Sequence, residues 1–335
     1  MLGKVPIWDT LQKIPGGIML VPLFLGVLVN TFAPDAINIG AFTTALFRGG
    51  AMPLIAVLFF CSGAQINLRA AGMSVYKGSV LCAAKVLVGT GFGVLFARVF
   101  GPEAALLGIT PLALISALGN SNGGLFTALA AKYGDKSDVG GIAVLSSNDG
   151  PFFEMMLMGA VGVAAIPGMV LFATVLPILV GMVIGNLDDK MRDFLKPGMA
   201  ISIFFFAFPL GAGLSLRTLL VAGPPGVLLG LLALSTGVVA YFAYRLLVPR
   251  KERRTCVAGA AVGTTAGNAI ATPAAIAAVD PSWLPWAEVA TAQVATSIIV
   301  TALLCPFLVD FLYRMEKRRG LINEDVPAAS EEAIV

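Results

Sequence analysis

Residues 119–124 read GNSNGG, and they interrupt an otherwise apolar run, LLGITPLALISALGNSNGGLFTALAAKYG, at residues 106–134. On a protein surface, Gly, Asn and Ser in a row make a turn. Here they sit in the middle of a segment long enough to cross a bilayer, which takes roughly 20 helical residues. A second segment, AGAAVGTTAGNAIATPAAIAAVDP at residues 258–281, carries Gly267-Asn268 at a matching depth. Gly costs about 1 kcal/mol and Pro about 3 in a helix interior. Clusters of both therefore predict helices that break inside the membrane. Such a break frees backbone N–H and C=O groups, which are tolerated there only against protein or a wet cavity. The half-helix N-termini it creates carry positive partial charge and suit an anion.

The rest of the composition agrees with a membrane setting. The 335 residues are 58% hydrophobic and 12% charged, with a mean hydropathy of +0.90. A soluble domain carries about 25% charged residues, so this chain cannot cover a globular surface. There is no His, which removes the commonest metal ligand and near-neutral proton relay. Cys61, Cys82, Cys256 and Cys305 form no CxxC pair and fit small packing residues. No metal site and no cofactor are expected. No GxxxxGK[ST] run points to ATP-driven transport, and no GxSxG elbow points to a serine hydrolase. The first apolar stretch, Ile14 to Phe32, lacks a small-residue cleavage site and is expected to stay.

The 30 Å ruler places ten spans, at about 14–33, 49–66, 75–97, 104–131, 139–163, 166–186, 198–214, 222–245, 255–279 and 284–312. With the N-terminus inside, 18 of the 22 Lys and Arg fall inside, Arg48, Arg98 and Arg217 fall outside, and Lys85 stays within a span. That asymmetry fits the positive-inside rule, with both termini cytoplasmic.

The two halves echo one another. FRGGAM (47–52) matches LKPGMA (195–200), GAQINLR (63–69) matches GAGLSLR (211–217), and GNSNGG faces GNAIAT (267–272), all at an offset of 148 residues. IPGG at Ile14 echoes IPGM at Ile166, and PLFLG (22–26) echoes PILVG (177–181), with slight slippage. Five spans per unit make the second copy inverted, an arrangement typical of secondary transporters. The expected fold is an all-α polytopic membrane protein of ten helices. Residues 1–163 and 164–313 form the inverted five-helix repeats, and residues 314–335 form a polar cytoplasmic tail.

The breaks nominate Asn120, Ser121, Asn122, Asn268 and Thr272 as substrate-binding residues. Thr264 and Thr265 are expected to bond their own helix backbone. Lys85, Asp149 and Glu154 lie in apolar spans, where a charge costs roughly 2.5–3.5 kcal/mol and defaults to function. The last two belong to SSNDGPFFE (146–154), a turn-like stretch whose repeat counterpart, around Thr296 and Ser297, is plain apolar helix. Asn148 and Asp149 are therefore expected at membrane depth, with Gly150 and Pro151 kinking the helix. A carboxyl kept from water exchanges protons nearer neutrality, so Asp149 and Glu154 lead as proton carriers, with Asn148 and Lys85 beside them. One carboxylate is expected to face the cavity and the other to pair with Lys85. Gln293 and Thr296, three residues apart, share a helix face and could bind substrate hydroxyls, whereas Glu288 suits an interface.

GNSNGGLF, SSNDGPFFE, GAQINLR and the basic loop at residues 250–254 resemble the 2-keto-3-deoxygluconate permease family along nearly the whole chain. That resemblance implies proton-coupled import of a sugar acid across the bacterial inner membrane. It also implies a fold like the bile-acid and citrate carriers, with two broken helices crossing at mid-membrane. The partners expected are a small anionic substrate, protons and lipid, with no nucleic acid and a homodimer left open. Sodium coupling on the same fold, an intramembrane enzyme and a channel are the alternatives.

Overall fold

The computed structural model describes residues 6–14, 17–66, 68, 72–148 and 150–329. Among them the regular structure is helical, apart from one isolated bridge between Leu106 and Ile109. In chain order the helices are α1 (Ile7–Lys13), α2 (Gly17–Phe32), α3 (Ala41–Phe47), α4 (Ala51–Gln65), α5 (Met73–Phe100), α6 (Pro111–Leu118), α7 (Gly123–Tyr133), α8 (Lys136–Gly140) and α9 (Ile142–Leu145). There follow α10 (Phe152–Val161), α11 (Gly168–Leu187), α12 (Asp189–Gly211), α13 (Leu216–Leu247), α14 (Val257–Ala261), α15 (Thr272–Val279) and α16 (Leu284–Arg318). Among the described residues four helices are long and apolar enough to cross a membrane, up to six if each of two bent pairs counts as one crossing. Large apolar side chains such as Leu87, Phe307 and Phe311 face outward, as they do where the surroundings are lipid.

Several of the expected spans are cut into pieces. The fourth divides into α6 and α7, and the ninth into α14, a 3₁₀ turn over Gly267–Ala271, and α15. The fifth is not merely kinked. Its helix ends at Leu145, a 3₁₀ turn covers Ser146–Asn148, Gly150 takes a φ of +101°, and helix resumes at Phe152. Positive φ suits Gly, and Pro151 contributes no N–H to a helix, so this stretch breaks the helix outright. Its repeat counterpart, α16, stays continuous over 35 residues. Inside α5 the residues Lys85–Thr90 form a π-helical turn, a local widening often found at functional sites.

Two groups of helices surround the breaks. In the first, α4 packs on α11 and α12, and α2 packs on α12. Glycines set these contacts, because a missing Cβ lets two backbones touch. A Cβ on Gly181 would stand 1.9 Å from the carbonyl oxygen of Phe60, and one on Gly26 would stand 2.2 Å from that of Phe208. A Cβ on Gly63 would meet Ile178 O at 2.1 Å, and one on Gly211 would meet Leu23 O at 1.9 Å. Phe60 and Phe208, like Gly63 and Gly211, are separated by the 148-residue offset of the sequence repeat. Leu214 and Ile66 share that offset too, and each accepts from an Asn of the other half: Asn30 Nδ2 to Leu214 O at 2.9 Å and Asn186 Nδ2 to Ile66 O at 2.7 Å. Each of these contacts joins residues of the two halves and is matched by one with the halves exchanged.

The second group holds α5, α13 and α16, with the broken segments between them. Here Gly89 touches the Leu118 carbonyl, while Gly237, its counterpart, touches Gly263. Gly181→Val should lower the thermal unfolding midpoint in detergent, since overpacking a tight contact costs about 1–3 kcal/mol or more. Gly223→Ala, where a Cβ meets nothing within 4 Å, should leave the midpoint unchanged or higher.

Candidate substrate and coupling site

Helix α6 starts where Thr110 caps it and Pro111 takes the first position, and it stops at Gly119. Four residues later a new helix begins, because the Asn122 side chain accepts the Leu125 N–H at 3.0 Å as an N-cap. The gap leaves backbone groups that need partners, and the second break supplies them. Asn120 Oδ1 accepts the Ala266 N–H at 2.9 Å, while its Nδ2 donates to Ser116 O at 2.7 Å. The Asn122 N–H donates to Thr264 Oγ1 at 2.8 Å. Thr265 Oγ1 reaches Ala117 O at 3.3 Å and Ser297 Oγ at 2.7 Å. Thr264 and Thr265 therefore do not bond their own helix backbone through their hydroxyls, as expected from sequence. They join the two breaks, because the chain around them is not helical and its neighbours across the gap are nearer.

Several buried polar atoms around this junction have no hydrogen-bond partner among the described residues: Thr90 Oγ1, Ser116 Oγ, Ser121 Oγ, Asn148 Oδ1, Glu154 Oε2 and Thr272 Oγ1. Buried polar atoms are nearly always paired, so a group of unpaired ones needs an explanation. Gly119 shows how close some of them are. A Cβ there would stand 1.7 Å from Thr90 Oγ1 and 3.0 Å from Glu154 Oε1. Asn148 Nδ2 donates to Gly119 O at 3.1 Å, tying the fifth-span break to the first. Asn268 sits in the 3₁₀ turn after the second break, buried but with 7% of its surface open, and its amide is unpartnered among the described residues. The first helix group closes over this region, with Met19 Sδ near Gly267 and the Phe59 ring against Gly150.

Lys85 is fully buried on the π-helical turn and donates to Thr236 Oγ1 at 2.9 Å and Thr264 O at 3.3 Å. It does not pair with Glu154, which lies instead near Thr90 and Gly119. Asp149 falls outside the described residues. Gln293 and Thr296 stand apart from the junction. Gln293 Oε1 accepts from Thr110 N and Oγ1 at 3.0 Å each, and Nε2 donates to Gly108 O at 2.8 Å. Its amide is spent on the loop that starts α6. Thr296 packs against Gly226 and bonds Ala292 O of its own helix at 3.1 Å. A helix face read from spacing does not say which neighbour it meets, and here the neighbours are a loop and α13.

A second polar cluster was not among the residues singled out from sequence. Lys77, fully buried, donates to Asp135 at 2.6 Å and 2.8 Å and lies 3.1 Å from Asp138, which in turn accepts from the Tyr244 hydroxyl. Burial pushes the Asp138 carboxyl up to about 6, against the pull of Lys77. Burial also works to raise Asp135, but hydrogen bonds from Lys77 and Ser137 outweigh it and hold that carboxyl below its ordinary value. The local signal was present, since Asp135 and Asp138 form a capping box at the start of α8. Lys77, one of the 18 inward-placed charges, carries no such local signal.

Fold and site together define an integral membrane protein with a polar centre built from broken helices. A family model described as 2-keto-3-deoxygluconate permease matches residues 8–318. The chain is 46% identical over 315 residues to 2-keto-3-deoxygluconate permease 1 of Salmonella typhimurium, covering 94% of this chain and 98% of that one. It is 39% identical to the 2-keto-3-deoxygluconate permease of Bacillus subtilis, covering 92% and 95%, and 38% identical to that of Escherichia coli K12, covering 93% and 95%. The chain belongs to the 2-keto-3-deoxygluconate permease family, a family of permeases and not of enzymes.

Asn120→Ala would strand the Ala266 N–H, and an unsatisfied buried donor costs about 1–3 kcal/mol. Its unfolding midpoint in detergent should fall clearly, whereas Ser121→Ala, which deletes an unpartnered hydroxyl, should leave the midpoint level or raise it.

Proposed function

We propose that this protein is a secondary active carrier that imports 2-keto-3-deoxygluconate, a small sugar-acid anion, together with protons across a bacterial inner membrane. The observation that carries this reading is the junction of two helix breaks, hydrogen-bonded to each other and flanked by unpartnered buried oxygens. In this reading Asn120, Ser121, Asn122, Asn268 and Thr272 line the substrate site. The amide of Asn268 and the hydroxyls of Ser121 and Thr272 meet the sugar hydroxyls, and the N-termini of α7 and α15 meet its carboxylate. Gln293 and Thr296 act from further out, holding the start of α6 and the contact with α13.

Glu154 and Asp149 carry the proton, with Asn148 and Lys85 holding the surrounding backbone. Loading the proton and the anion together lets an electrically lighter complex cross, which is the logic of symport. Ten crossings in two inverted repeats, with both termini cytoplasmic, fit the counterpart glycine contacts and the Lys and Arg asymmetry. A fold of the bile-acid and citrate carrier type fits the two helix groups. A sodium-coupled carrier of another small organic anion is the rival, favoured by the all-oxygen character of the unpartnered groups near Glu154.

Proteoliposomes holding the full chain should accumulate 2-keto-3-deoxygluconate under an inward proton gradient without sodium. Uptake that needs sodium and ignores pH would move the assignment to the rival. Asp149→Asn or Glu154→Gln should abolish accumulation while sparing exchange of substrate across the membrane, and normal accumulation in both would remove the carboxylates from coupling. Asn268→Ala should weaken substrate binding by about tenfold, as expected for a lost hydrogen bond near 1.4 kcal/mol, measured by displacement of radiolabelled substrate. Unchanged binding would return Asn268 to a packing role.

A further inference from the structure

At the end of α13 the chain turns through residues 248–256, and four arginines, Arg245, Arg250, Arg253 and Arg254, line one cavity of about 80 Å³. That space suits a compact group. Two of the arginines serve the fold. Arg253 Nη1 donates to Tyr244 O at 3.0 Å and Val248 O at 2.5 Å, closing the C-terminal turn of α13. Arg254 Nη1 donates to Val326 O at 2.8 Å.

The guanidinium groups of Arg245 and Arg250 have neither hydrogen bond nor ion pair among the described residues. The single acidic side chain of the lining is Glu316. It is buried, and both its oxygens accept the Cys256 N–H at 3.2 Å. The lining therefore holds four arginines against one carboxylate that is already engaged. The tail after α16 reaches one side of the cavity. Leu321 lines it, and Asn323 ties that segment to the carbonyls of Arg250 and Arg254 at 2.9 Å each.

A bias of positive charge toward one side of a membrane explains how many arginines lie here. It does not explain why four arginines line one small, partly open cavity, two of them, Arg245 and Arg250, exposed and without a partner among the described residues. A guanidinium carries five N–H donors in a planar fork that matches phosphate oxygens in pairs. We propose that this cavity binds a phosphate group, presented by an anionic phospholipid headgroup or by a soluble phosphate, between Arg245 and Arg250 with Arg253 and Arg254 behind them. This site is separate from the transport junction and does not depend on the substrate assigned there.

The test uses the full chain purified in detergent, Arg245→Gln/Arg250→Gln, Arg250→Gln alone, and a control, Arg318→Gln/Arg319→Gln, that removes the same charge outside the cavity. Folding is checked by the unfolding midpoint in chloride. Inorganic phosphate is titrated against chloride at equal ionic strength, and retention of phosphatidylglycerol over phosphatidylcholine is read by native mass spectrometry. The parent and the control should be stabilised by phosphate or retain phosphatidylglycerol. The double variant should need at least tenfold more phosphate or lose that selectivity, with the single variant between. Phosphate alone acting would assign a soluble anion, and phosphatidylglycerol alone a lipid headgroup. If neither probe separates the parent and control from the Arg245 and Arg250 variants, the site is disproved.

Discussion

The structure turns on a constraint of the apolar interior: a backbone N–H or C=O freed from a helix must find a partner there. Two breaks solve this jointly. Asn120 accepts the Ala266 N–H, Asn122 donates its N–H to Thr264, and Thr265 reaches the Ala117 carbonyl. Neither break could stand without the other, since each uses side chains of one segment to satisfy the backbone of its counterpart. That interdependence holds an irregular, polar pocket of chain at the centre of an otherwise apolar molecule.

Around that centre, glycine decides how closely helices approach. Between lipid-facing helices there is little hydrophobic drive to associate, so close backbone contact and dispersion take its place. The contacts of Gly26 with Phe208 and Gly181 with Phe60 repeat one geometry in the two halves, as do those of Gly63 and Gly211. The layer they build brings Met19 and Phe59 onto the broken segments. Packing and polar centre are thus connected through α2 and α4.

The buried charges are handled in three different ways. Lys77 is locked between Asp135 and Asp138, with Tyr244 completing the network; losing one member of such a set leaves an uncompensated charge. Lys85 is solvated by one hydroxyl and one carbonyl at a widened helical turn. Glu154 has an oxygen with no partner among the described residues. The first arrangement is fully satisfied and suits structure. The last leaves capacity unused and suits chemistry that comes and goes.

Much of this was legible in the chain itself. Composition alone made it a membrane protein, because so few charges cannot cover a globular surface. Gly-Asn pairs at mid-span marked both breaks, since helix propensity is a local property of the residues. The sequence echo marked Gly63 and Gly211 at the 148-residue offset, and Gly26 and Gly181 in the slipped pair PLFLG and PILVG. What local chemistry could not supply was the identity of partners across space. Thr264 and Thr265 bridge the breaks when the chain around them leaves the helix, and Gln293 turns to a loop 183 residues away in sequence. Gly150 breaks the fifth segment while its counterpart helix runs on, and Lys77, near the start of α5, joins two aspartates. Periodicity and propensity act over a few residues and determined where helices start and fail. Only tertiary packing, which sets neighbours hundreds of residues apart, decided which polar groups are satisfied and which remain free.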